Sequence, residues 1–93
     1  MEHNIDRVLV MSLAHLSDAT ADAFERNDQA TPAFLQWEYG VQVWVDDHPD
    51  TFEIYPELPA LMKFAHNLAC NWIRFDDDGQ VYPDFPVFDE AYK

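Results

Sequence analysis

The strongest local candidate for chemistry is a run of three aspartates before a glycine, Asp76-Asp77-Asp78-Gly79. Carboxylates at the first and third positions resemble the opening of a calcium-binding loop, because a hard cation prefers several oxygen ligands around a sharp turn. The rest of that loop is missing, since Gln80 occupies the fifth position and Val87 the twelfth, where a bidentate glutamate is needed. Asp and Gly also favour turns. We therefore predict a turn here, with no metal ion and no other cofactor.

Cys70 is the only cysteine, and it has a histidine four residues before it, His66. The two would share one face of a helix. No positively charged residue close in the sequence is placed to activate the Cys70 thiol. The sequence also lacks the glycine-rich turn that would supply an oxyanion site. The four histidines are also too scattered for a zinc pattern. The sequence thus favours a structural cysteine and a protein that is not an enzyme.

His15 lies between a predicted strand and a predicted helix, a position where ligand-binding residues often occur. Our preferred interpretation is that its ring bonds a neighbouring backbone group and fixes this turn. The alternative is a metal- or ligand-binding site made of His15, Asp76 and Asp78.

The elements that must position these residues follow from hydrophobic periodicity. In chain order they are a strand at 7–13, a helix at 18–27 with Ser17 as its N-cap, strands at 33–39 and 41–45 on either side of Gly40, a helix at 57–71 and a strand at 71–75. This order predicts one α+β domain over residues 1–93, a small β-α-β-β-α-β sandwich with an antiparallel sheet and two helices on one face. The last strand would then run antiparallel to the first, with His15 near Cys70 and Asn71, and Asp76–Asp78 at the opposite edge near Arg7.

Charge is the most unusual property of the chain. Its 93 residues hold 18 acidic and 5 basic side chains, for a net charge of −13, whereas about 2–8 suffices for the solubility of a small domain. Direct binding to nucleic acid or to an anionic membrane is disfavoured. Much of the charge falls in two runs without a base, which comprise Asp46, Asp47, Asp50, Glu53 and Glu57, then Asp76, Asp77, Asp78, Asp84, Asp89 and Glu90.

These two acidic runs suggest a protein that imitates DNA. Carboxylates on alternate strand positions lie about 6.6 Å apart, which is of the order of the phosphate spacing along a strand. Interspersed aromatic residues would add anchoring contacts. The expected partner is a basic nucleic-acid-binding protein, inhibited by occlusion. The alternative is an interaction module, monomeric or homodimeric, whose acidity provides only solubility.

The segments that carry a family resemblance are Ser12–Leu16, Thr20-Ala21, Tyr39-Gly40, Leu58–Ala65 and Cys70–Asp78. Together they resemble a small acidic domain of unknown function found on bacterial plasmids and phages near antirestriction genes, and the chain is also similar in character to anti-CRISPR proteins. The resemblance implies a cytoplasmic inhibitor in a bacterial host cell, with a CRISPR effector or a restriction enzyme subunit as its partner. It carries over no catalytic residues.

Overall fold

The computed structural model describes residues 6–88, which form a four-stranded sheet and two helices. The elements are β1 (Val8–Ser12), α1 (Asp18–Glu25), β2 (Phe34–Trp37), β3 (Gly40–Trp44), α2 (Leu58–Asn67) and β4 (Trp72–Asp76). Single turns of 3₁₀-helix cover Leu13–His15 and Pro49–Phe52. The α+β class and the predicted order of strands and helices are confirmed.

The sheet is mixed, and this corrects the antiparallel sheet that we predicted. The strand order is β1-β4-β3-β2. β4 pairs antiparallel with β3, but parallel with β1, and Val8 faces Trp72 while Ser12 faces Asp76. An apolar alternation records which side chains face the core and is the same for either strand direction, so periodicity alone did not reveal the parallel pair.

The core face of the sheet is built from two rows of buried side chains across its three longest strands. The rows are Leu9, Ile73 and Val43, then Met11, Phe75 and Val41. Buried residues of both helices join the same hydrophobic cluster, including Phe24 from α1 and Leu61 from α2. The finer expectation, that both helices lie on one face of the sheet, stays a prediction.

Each helix is followed, two positions after its last residue, by a residue with left-handed backbone. Ser17 caps α1 as predicted, because its Oγ accepts from the Thr20 amide at 3.3 Å, and α1 is followed by Asn27 at φ 56°. α2 ends at Asn67, four residues earlier than predicted, because Ala69 adopts φ 59° and the Cys70 amide bonds back to the Ala65 carbonyl at 2.9 Å. Neither helix, nor any other within residues 6–88, has the length and hydropathy needed to cross a bilayer.

Candidate functional site: an acidic groove at one end of the sheet

Parallel pairing places the carboxyl ends of β1 and β4 side by side. Ser12 faces Asp76, which in turn faces Gly40 at the start of β3. His15 and Asp76–Asp78 therefore follow strands that end at the same side of the sheet, not at opposite edges as predicted. The predicted neighbours change accordingly, since Arg7 lies beside Asn71, whose side-chain oxygen accepts from the Arg7 amide at 3.1 Å.

The three aspartates form a turn, as the sequence predicted. The Asp76 carboxylate accepts from the Asp78 amide at 2.8 Å, and the Asp76 carbonyl accepts from the Gly79 amide at 2.9 Å. A side chain at Gly79 would overlap the Met11 carbonyl, so the glycine permits a close approach to β1. Each of the three residues offers a carboxylate oxygen within 4.8 Å of the others. Exposed acidic groups often crowd in this way without a metal ion.

His15 is buried, and its ring holds the segment that follows β4. Its Nδ1 lies 2.8 Å from the Pro86 carbonyl, and its Nε2 accepts from the Tyr82 amide at 2.9 Å. This pair of bonds requires the neutral ring with the proton on Nδ1. A backbone-anchoring role is therefore correct, although the partners come from the C-terminal segment. Neither ring nitrogen is left for a metal ion.

Asp46 and Asp47 of the first acidic run lie at the opposite end of the sheet from the Asp76–Asp78 turn, because β3 and β4 are antiparallel. Asp46 and Asp47 follow the end of β3, while Asp76 ends β4 and Asp77 and Asp78 follow it. Five-residue strands separate these two ends by about 14 Å. Asp46 and Asp47 thus do not form one continuous surface with Asp76–Asp78 along the sheet.

Several carboxylates of the first run have partners within the protein. Asp50 forms an ion pair with Lys63 at 3.0 Å. Asp46 accepts from the His48 amide at 2.7 Å. Glu57 is buried, and its Oε2 accepts from the Ser17 amide at 2.7 Å. Glu57 therefore stabilises the start of α1 and is not available to a partner, whereas Asp47 and Glu53 are exposed.

The second run is exposed at Asp77, Asp78 and Asp84 and half-buried at Asp76. Asp89 and Glu90, which were also predicted to contact a partner, lie outside the described residues. Asp76 is the only acidic residue within the four strands. The expected row of carboxylates on alternate strand positions is therefore not how the charge is arranged in residues 6–88.

The charge gathers instead around a groove of about 320 Å³ beside the Asp76–Asp78 turn. Its buried lining, which forms the floor, includes Phe24 and Val41. Its exposed lining includes Glu25 from α1, Glu38 and Tyr39 from the β2–β3 turn, and Asp77. No basic residue is among the described residues that line it. We call this feature the acidic groove.

Glu25 and Glu38 were not among the predicted site residues, because neither falls within a run of acids. The sequence did hold a signal for Glu25. Asp18, Asp22 and Glu25 recur at i, i+4 and i+7, a spacing that places three carboxylates on one face of α1. These three residues line a shallower hollow that shares Ala21 and Glu25 with the acidic groove. Arg26 pairs with Asp22 at 2.8 Å, whereas Asp18 and Glu25 have no ion-pair partner among residues 6–88.

The groove concentrates negative charge at its rim. The pKa of Asp77 is raised above its ordinary value, first by burial and then by the neighbouring carboxylates of Asp78 and Asp76. The pKa of Tyr39 is also raised, chiefly because its hydroxyl bonds the Glu38 carboxylate. The shift of Asp77 thus includes repulsion from Asp78 and Asp76, whereas that of Tyr39 comes mainly from its hydrogen bond. A cation placed at the rim would relieve the repulsion.

Comparison with known proteins identifies a family whose function is unknown. The model for the C-terminal domain of a family of unknown function (DUF5983) matches residues 8–90. Neither the curated proteins nor the solved structures contain a match.

Proposed function

The chain belongs to the DUF5983 family, and we propose that it is a non-enzymatic inhibitor that occupies the basic nucleic-acid-binding surface of a host defence protein. A CRISPR effector or a restriction enzyme subunit is the proposed target. The mechanism is occlusion, in which carboxylates stand in for phosphates and no bond is made or broken. The proposed compartment is the cytoplasm of a bacterial host.

One observation carries this proposal. Three segments far apart in the sequence, ending α1, joining β2 to β3 and following β4, each bring a carboxylate to the acidic groove without a base among its described lining. Charge that served only solubility would be dispersed over the surface, and it would not need apolar side chains beneath it. Carboxylates gathered around buried apolar side chains and an exposed tyrosine are typical of a surface that binds a basic partner.

The test is plasmid transformation into bacterial strains that express the chain and carry either a CRISPR system or a restriction system directed at the plasmid. The proposal predicts that the chain restores transformation in at least one defended strain and has no effect in undefended strains. A folded wild-type protein that restores transformation in none of them would contradict it.

Two variants with equal charge loss locate the effect. The first neutralises the groove end with Asp18→Asn, Glu25→Gln, Glu38→Gln and Asp77→Asn. The second neutralises the opposite end with Asp46→Asn, Asp47→Asn, Asp50→Asn and Glu53→Gln. We expect only the first to lose the rescue. Equal loss in both would show that net charge matters and the groove does not.

A further inference from the structure

We infer that the acidic groove seats the side chain of one arginine of the partner protein. This inference rests on the proposed function and sharpens it, because it names the group that the groove recognises. It concerns a single pocket and a single side chain, whereas occlusion of a nucleic-acid site involves a wider surface.

The size and lining of the groove define the occupant. A volume of about 320 Å³ is at the lower end of the range of small-ligand sites, about 300–1,000 Å³, and suits one long side chain better than a large ligand. Phe24 and Val41 are almost fully buried beneath it. Their apolar surface can cover the methylene stem of a long cationic side chain, which buries its stem and keeps its charged end near water.

The rim selects a guanidinium over an ammonium. Glu25, Glu38 and Asp77 line the groove from the end of α1, the β2–β3 turn and the turn after β4, so a cation with several spread donors can serve more of them than a compact one. Arginine offers five N–H donors in a planar fork, while lysine offers a compact and strongly hydrated charge. Tyr39 is 51% exposed beside these carboxylates, and its ring gives the guanidinium plane a surface for stacking.

The backbone beneath part of the rim is held in place before a partner arrives. A side chain at Gly40 would overlap the Phe75 carbonyl, so β3 lies close to β4 at this end of the sheet. The Asp77 amide donates to the Tyr39 carbonyl at 3.1 Å, which ties the β2–β3 turn to the turn after β4. Binding therefore does not have to order this backbone, and its entropic cost is limited to the exposed side chains.

The experiment titrates the ¹⁵N-labelled chain with acetyl-arginine amide and, separately, with acetyl-citrulline amide and acetyl-lysine amide, followed by amide chemical shifts. Citrulline has nearly the shape of arginine without its charge. We expect saturable shifts for arginine at Ala21, Glu25, residues 36–41 and Asp77, no saturation for citrulline and weaker binding for lysine. Shifts spread equally over Asp47, Asp50 and Glu53, or equal affinity for lysine, would overturn the inference.

Variants separate the contributions of charge and ring. The triple variant Glu25→Gln, Glu38→Gln and Asp77→Asn is expected to weaken arginine binding about tenfold, as three exposed ion pairs together contribute roughly a decade. The matched triple variant Asp47→Asn, Asp50→Asn and Glu53→Gln is expected to change it less than about twofold. Tyr39→Leu is expected to weaken it about threefold. Equal weakening by both triple variants would overturn the inference.

The two proposals fail in different ways. Arginine binding in the groove, combined with no rescue of transformation, contradicts the inhibitor. Rescue that survives the groove triple variant, while the groove no longer binds arginine, contradicts the arginine seat and leaves the inhibitor standing.

Discussion

The two ends of the sheet carry similar amounts of acidic charge but use it differently. At the end that follows β3, the hollow formed by Asp46 and Asp47 also includes Lys63 and His66. At the end that follows β4, the acidic groove has three carboxylates and no base among its described lining. Acidic residues at the first end lie beside basic side chains, while those at the second lie around an apolar floor with no base among the described lining.

This difference shows why counting charges along a chain does not locate a binding surface. The run over residues 46–57 is as dense in acids as any segment, yet an ion pair, a backbone bond and burial occupy three of its carboxylates. The acidic groove draws single residues from separate segments. A surface carboxylate is most available to a basic partner where no base of the protein already pairs with it.

The largest loss of stability is expected at the groove end of the sheet, where two backbone segments approach each other. Gly79→Ala places a methyl group against the Met11 carbonyl, and we expect a loss of about 2–3 kcal/mol in the free energy of unfolding, as for other overpacked sites. Urea denaturation measures it. Ala69→Gly, at the opposite end of β4 where φ is 59°, is the control and should raise stability by about 1 kcal/mol. A neutral Gly79→Ala would show that this close approach is not required.

An intermediate effect distinguishes the buried from the exposed acids of the first run. Glu57→Ala removes the acceptor of the Ser17 amide, and we expect a loss of about 2 kcal/mol, the usual contribution of a charge-assisted hydrogen bond. Glu53→Ala, an exposed neighbour in the same run, should change stability by less than about 0.5 kcal/mol. Thermal and urea unfolding of both variants compare them. Similar losses would mean that Glu57 has no special role.

The smallest change in stability is expected when the base that pairs with Asp50 is removed. Lys63→Met removes the partner of Asp50, but both side chains are more than half exposed, so we expect less than about 0.5 kcal/mol in stability. If a carboxylate without a pairing base were enough to bind arginine, Lys63→Met would also strengthen binding of acetyl-arginine amide near Asp50. No change there would indicate that the apolar floor and Tyr39 matter as much as the charge.

The sequence by itself predicted the α+β class, the order of the elements and most of their boundaries. It did so because apolar alternation, the Ser17 cap and the Gly79 turn are local properties that a few neighbouring residues determine. It also predicted that the aspartate run is a turn and that His15 anchors backbone. These predictions needed no knowledge of which strands pair.

Only the tertiary structure decided the parallel pairing of β1 with β4, and the location of the acidic groove depends on that pairing. Strand direction is set by long-range packing of Leu9 and Met11 beside Ile73 and Phe75, and no local pattern encodes it. The same holds for Glu25 and Glu38, isolated acids whose importance comes from the segments packed beside them. The sequence determined how much negative charge the protein carries, and the fold decided which part of that charge faces a partner.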